Sequence, residues 1–160
     1  MNRHSTKKHS ERGVATVEFA LTASVFIMMI VAIISGAHLF FTHNAMVEAT
    51  RRGARYAATR CYPNLTGCPD SANTIEKVQN VVLYGTPTAG TTTLVHNLQR
   101  DNVTVTYSSD FGVGQGNVSV KIDNYSYIFG VSGTSISMPK YQTTLIGESA
   151  GFVPGEITCP

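Results

Sequence analysis

The sequence predicts an α+β protein: a long N-terminal transmembrane and amphipathic helix packed on a small antiparallel sheet domain. Three observations predict it. An apolar run extends from Val14 to Phe41 without a proline, helical spacing continues beyond it to Arg60, and from Val103 the apolar period changes to two. Of the 160 residues 42% are hydrophobic and 14% charged, against about 25% charged in an average globular domain. That balance suits a membrane or extracytoplasmic protein better than a cytosolic enzyme.

Residues 1–13 are polar, basic and aperiodic, and read as a leader peptide. Residues 14–41 are the expected transmembrane helix. Their dense part, Phe19 to Phe41, is long enough at about 1.5 Å per residue to cross a hydrocarbon core of about 30 Å. Residues 42–60 continue the same helix outside the membrane. Ala45, Met46, Ala49, Gly53, Tyr56 and Ala57 recur at helical spacing there, with Glu48, Arg51, Arg52 and Arg55 elsewhere around it. Cys61-Tyr62-Pro63 stops the helix, because proline cannot continue it.

Residues 61–160 then form a small α+β head, large enough for one modest core. Asn73 and Glu76 have capping-box spacing, Ile75, Val78, Val81 and Val82 supply the apolar face of a short helix, and Gly85 ends it. Val103, Val105 and Tyr107 alternate with threonines, and Val118, Val120 and Ile122 with Ser119 and Lys121. Tyr125, Tyr127 and Phe129 resume that phase after a break at Asp123-Asn124. The glycine-rich run Gly112 to Gly116 connects the first two strands as a hairpin loop. A further strand region spans Ile136 to Ile146, where Pro139 marks an edge or a break. The expectation is an antiparallel sheet of three or four strands against the upper helix.

Net charge is +2, with Arg and Lys concentrated at Arg3, Lys7, Lys8 and Arg12 and again at Arg51, Arg52, Arg55 and Arg60. The head adds only Lys77, Arg100, Lys121 and Lys140, which form no basic face for phosphates, so nucleic acid is not an expected partner. Gly85 to Thr91 imitates the glycine spacing of a phosphate loop but lacks its lysine, and Gly112, Gly114 and Gly116 do not fit the dinucleotide pattern. His4, His9, His38, His43 and His96 share no metal-ligand spacing, and no nucleophile, base and acid stand in an arguable constellation. No catalytic residue, metal or cofactor is therefore expected, and the reading is of a protein that is not an enzyme. His38 and His43 read as interfacial rings. Asn64, Asn102, Asn117 and Asn124 head glycosylation-type tripeptides, which chance explains in a chain this rich in Ser, Thr and Asn.

Cys61 and Cys68 are seven positions apart around Pro63, Asn64 and Gly67, a turn-rich loop that a disulfide closes easily outside the cytoplasm. Cys159 could pair with either instead.

Glu18 is an acid near the start of the apolar run. One reading is an interfacial carboxylate that favours the helix dipole and stays close to water. The other requires a cut between Gly13 and Val14, after which the new α-amino group of Val14 lies one helical turn from Glu18 and can neutralise it, within the subunit or from a neighbour.

The order basic leader, Gly13, small residues, Glu18-Phe19 and apolar helix resembles the class III signal of type IV pilins and pseudopilins. Together, Arg12 to Leu21 and Ala49-Thr50-Arg51-Arg52-Gly53-Ala54-Arg55-Tyr56-Ala57-Ala58 resemble the TadE-like minor pilins of Tad (type IVc) pilus systems. The resemblance covers residues 12–60, and the head matches only in its Thr- and Val-rich strand style. It implies a pilin-like fold and cleavage by a prepilin peptidase between Gly13 and Val14. Glu18 and Phe19 become assembly residues, Glu18 helping to set subunit register. Implied partners are the membrane, that peptidase, a major pilin, other minor pilins and the assembly platform with its ATPase, in adhesion or biofilm formation. The implied location is the bacterial inner membrane, single-pass, with the N-terminus cytoplasmic and the head periplasmic or extracellular, and the pilus as a further location. Major pilins of these systems are very short, so a head of this size argues for a minor pilin.

The alternative is an extracytoplasmic binding domain unrelated to pili, either retained on a single-pass anchor or secreted after a cut at Ser35-Gly36-Ala37 that leaves His38 first.

Overall fold

Residues Lys7–Ala58 form one uninterrupted α-helix, α1, in the computed structural model of the chain. The structure describes residues 7–60, 73–108, 116–130 and 133–147, with side chains from residue 13 onward. Helix is already present at Lys7, seven residues before its expected start at Val14. Lys, Glu and Arg are good helix formers, and extending an existing helix is far easier than nucleating one.

The short helix α2, Thr74–Tyr84, ends as expected at Gly85, whose φ of 80° is left-handed and whose N–H bonds to Val81 O. The expected capping box is absent. Asn73 has φ −114° and ψ 12°, outside the extended conformation an N-cap needs, and its side chain makes no cap bond. Glu76 instead accepts from Arg100 Nη1 at 3.0 Å. The other arm of Arg100, Nη2, donates to Asn80 Oδ1 at 2.8 Å, and Asn80 Nδ2 donates to Pro87 O. These bonds fasten α2 to the loop that follows it.

Strands β1 (Val103–Tyr107), β2 (Asn117–Ile122) and β5 (Tyr141–Ile146) form a three-stranded antiparallel sheet with β2 central. Its register stacks Val103, Ile122 and Tyr141 in one row, then Val105, Val120 and Thr143, then Tyr107, Val118 and Leu145. These rows face α1 and α2. Val118, Val120 and Ile122 are fully buried, as are Met46, Ala54 and Ala57 of α1 and Val78 and Val82 of α2. The opposite face is polar, with Gln142 and Thr144 bonded to Ser119.

Two strand expectations change. Tyr125, Tyr127 and Phe129 do not extend β2: Asn124 turns the chain at φ 55°, and β3 (Ser126–Ile128) pairs with β4 (Ser135–Ser137) in a separate two-stranded ribbon. The Ile136 to Ile146 region splits into β4 and β5 on either side of Pro139. The β1–β2 pairing is the expected hairpin, although residues 109–115 of its loop lie outside the described residues. So do Cys61, Cys68 and Cys159 and the tripeptide at Asn64. Asn102 uses its amide nitrogen as a clip, donating to the carbonyls of Asp123 and Asn124 at 3.1 and 3.0 Å.

Burial, with the Tyr56 phenol nearby as the smaller cause, pushes the Tyr107 phenol well above its ordinary value. A raised phenol contributes stability that is complete below its unfolded value of about 10 and is lost as pH rises toward the folded value. An alkaline titration followed by phenolate absorbance and circular dichroism is expected to show Tyr107 ionising together with loss of the head fold. Tyr107→Phe should delay that unfolding; an unchanged midpoint would remove Tyr107 as its trigger.

Candidate functional site

From residue 13 to Phe41, α1 carries a nearly continuous exposed apolar surface; Phe19, for example, is 74% exposed. The helix is long and apolar enough to cross a membrane. Its hydroxyls are turned inward to suit that medium: Thr22 Oγ1 donates to Glu18 O at 2.6 Å and Ser24 Oγ to Leu21 O at 2.8 Å. Hydrocarbon offers polar groups no partner, so such internal bonds lower the cost of placing them there.

Gly13, Val14, Glu18 and Phe19 all lie on this exposed stretch. The Gly13–Val14 bond is inside α1, so a peptidase acting there must accept or open a helical turn. Glycine weakens a helix by about 1 kcal/mol relative to alanine, which eases that opening. Val14 and Glu18 are one turn apart on the same face, the geometry expected from their spacing. The His38–Tyr127 contact, at the lower end of the head, stands about 30 Å above Glu18 at 1.5 Å per residue.

Where helix and head meet, two histidines of α1 reach tyrosines of the head. His38 Nδ1 lies 3.1 Å from the Tyr127 hydroxyl and His43 Nδ1 2.8 Å from that of Tyr141. The Tyr141 ring also stands edge-on to His43, with centroids 5.2 Å apart. Higher up, Thr143 Oγ1 donates to Thr50 Oγ1 at 3.1 Å. Burial raises the phenols of Tyr125 and Tyr141 above their ordinary value. Tyr125 donates to His96 O at 2.8 Å. Between α1, the 92–97 loop and the 125–130 segment is a cleft of about 700 Å³.

The histidine–tyrosine contacts were not readable from the sequence. Nothing in the spacing links residue 38 to 127 or 43 to 141, and an interfacial ring is the ordinary reading of such histidines. Asp123 is a further feature found only in the fold. Lys121 Nζ at 2.7 Å and Lys140 Nζ at 3.4 Å share its carboxylate, and the Lys121 hydrogen bond above all holds its pKa below the ordinary value.

An exposed apolar helix continuous with the packed helix of a small α+β head defines a class: proteins whose single N-terminal helix both can cross a membrane and is part of the head's core. A family model, TadE-like protein, matches residues 13–55. The match falls on the segments that carried the resemblance, from Gly13 through Glu18-Phe19 to Arg51-Arg52-Gly53-Ala54-Arg55, and it relates this part of the chain to Tad pilus systems. No curated protein and no solved structure matches the chain.

Proposed function

We propose that this chain is a minor pilin, or pseudopilin, of a bacterial Tad (type IVc) pilus system. A prepilin peptidase cuts it between Gly13 and Val14, and it contributes to pilus biogenesis and adhesion by assembling and binding rather than by catalysis. It sits in the inner membrane with the N-terminus cytoplasmic and the head periplasmic or extracellular, beside a major pilin, other minor pilins and the assembly platform. The observation that carries this reading is the TadE-like match beginning at Gly13, on a helix that remains exposed to Phe41 and then enters the head core. An exposed apolar helix suits both a bilayer and a bundle of like helices in a fibre. Arg12 lies two residues before Val14, whereas Arg51 is ten beyond Phe41, which favours an inside N-terminus.

N-terminal mass analysis of the protein from cells with an active pilus peptidase tests the reading. Val14 is the expected first residue. His38 would identify a secreted domain and Met1 an anchored one, and either would defeat the cleavage claim. Recovery with sheared pili is the second expected result; presence in membranes alone would confine the protein to the assembly platform.

A further inference from the structure

We propose that the lower rim of the head, the β3–β4 ribbon together with the 92–97 loop, rests in the outer interface of the same lipid bilayer that α1 crosses. The proposal depends on α1 spanning a membrane but not on any role in a pilus.

Position is the first argument. Glu18 keeps its charge out of the hydrocarbon, and the twenty residues from Phe19 to His38 span about 30 Å at 1.5 Å per residue, the thickness of a hydrocarbon core. His38 therefore marks its outer boundary. The hydrogen bonds between helix and head give the levels above that point. Tyr127 meets His38, Tyr141 meets His43 and Thr143 meets Thr50. β5 thus climbs away from the boundary, while β3 descends to it. Past Tyr127 the chain continues at about 3.3 Å per residue, and Ile128 and Gly130 line the cleft with Ile34 and Ser35.

Composition is the second argument. No Asp, Glu, Lys or Arg occurs from Phe19 to Val47, from Val78 to Gln99 or from Asn124 to Pro139. These three stretches are separate in sequence, yet each contributes to the one cleft at the boundary. Charges are costly at membrane depth, and aromatic residues concentrate at its interfaces. Tyr125 and Tyr127 of the head line the cleft together with Phe41 of α1.

Exposure is the third. Ile128 is 55% exposed, Leu94 51% and Ile136 45%. Ile136 pairs with Tyr127 on one face of the ribbon, and on the other Ile128 stands among Ser126, Ser135 and Ser137, so each face carries an exposed isoleucine and no charge. A two-stranded ribbon is marginal by itself in water. The bilayer beside it supplies the missing cover.

The chain contains no tryptophan, so single-tryptophan variants report their own depth. The full chain carrying Ile128→Trp, Ile27→Trp or Thr106→Trp is reconstituted in phosphatidylcholine–phosphatidylglycerol vesicles containing lipids with a quencher near the headgroup or near the bilayer centre. Thr106 is exposed on β1, opposite Ser119, at the end of the sheet away from His38. Ile128→Trp is expected to emit further to the blue than Thr106→Trp and to be quenched several-fold more by the shallow label. Ile27→Trp should respond best to the deep label. If Ile27→Trp is quenched and Ile128→Trp behaves like Thr106→Trp, the proposal is overturned. A blue shift of Ile128→Trp that grows with protein density but is not quenched also overturns it, assigning the rim to another protein chain. Failure of Ile27→Trp to quench strikes the membrane-spanning reading instead. Ile136→Trp, in the partner strand, gives the same readout should Ile128→Trp not fold.

Discussion

Gly53→Val is expected to destabilise the head by about 1–3 kcal/mol, the usual cost of overpacking a filled core. Gly53 faces both layers that pack on α1. A Cβ built on it falls inside contact distance of Val82 Cγ2 and stands 3.4 Å from Val120 Cγ1. Val82 is β-branched and fully buried, so it cannot swing aside as the tip of a long side chain could. The surrounding face is built for close approach: Ala49, Ala54, Ala57 and Ala58 are buried beside it. Even Gly53→Ala should destabilise, although alanine gains about 1 kcal/mol of helix propensity over glycine. Val82→Ala should relieve part of that cost, so the double variant is expected to lose less than the sum of the singles. Thermal or denaturant unfolding of the detergent-solubilised protein measures all of these. An unchanged Gly53→Val would show that the α1–α2 contact is not close-packed.

Glu18→Ala is expected to leave membrane insertion intact and to lower incorporation into sheared pili by at least about tenfold, the equivalent of roughly 1.4 kcal/mol. The two effects separate because they have opposite signs. A charge at a helix centre costs about 2.5–3.5 kcal/mol to insert, and Glu18, near the helix end, costs less; removing it makes insertion easier. In a fibre the same carboxylate is taken from water among apolar helices, and only a pairing such as that with a freed Val14 amino group offsets the penalty. Breaking a buried pair from one side costs about 3–5 kcal/mol, so the expected loss is at the cautious end. Immunoblots of membrane and sheared-pilus fractions report both quantities. Glu18→Gln should reproduce the defect if charge carries the role. Unchanged piliation in both variants would remove Glu18 from assembly.

Much of the fold was legible because it rests on periodicity. The spacing of Met46, Ala49, Gly53 and Ala57 predicted the buried face of α1, and the alternation of Val118, Val120 and Ile122 predicted the inward face of β2. Gly85 ended α2 where a left-handed residue was needed. What was misread depends on competition between local and distant partners. Asn73 and Glu76 had capping-box spacing, but Arg100, 24 residues beyond Glu76, took the carboxylate. Tyr125, Tyr127 and Phe129 kept the phase of β2, but a left-handed turn at Asn124 sent them into a second ribbon. The placing of Gly13, Val14, Glu18 and Phe19 on one exposed helix was legible because spacing along a helix is the whole of that geometry. The His38–Tyr127 and His43–Tyr141 contacts were not, since each joins residues about ninety or more positions apart and no local rule reaches that far.

The sequence by itself therefore determined that an apolar helix precedes an α+β head, and the positions of Gly13, Val14 and Glu18 along that helix. Those follow from the order of residue types along a helix of known rise and turn. The tertiary structure alone decided which side chains meet across that packing: Gly53 lies against Val82 and Val120, and three uncharged stretches meet beside His38. Packing brings together surfaces from distant parts of the chain, and which of them meet depends on the whole core closing at once.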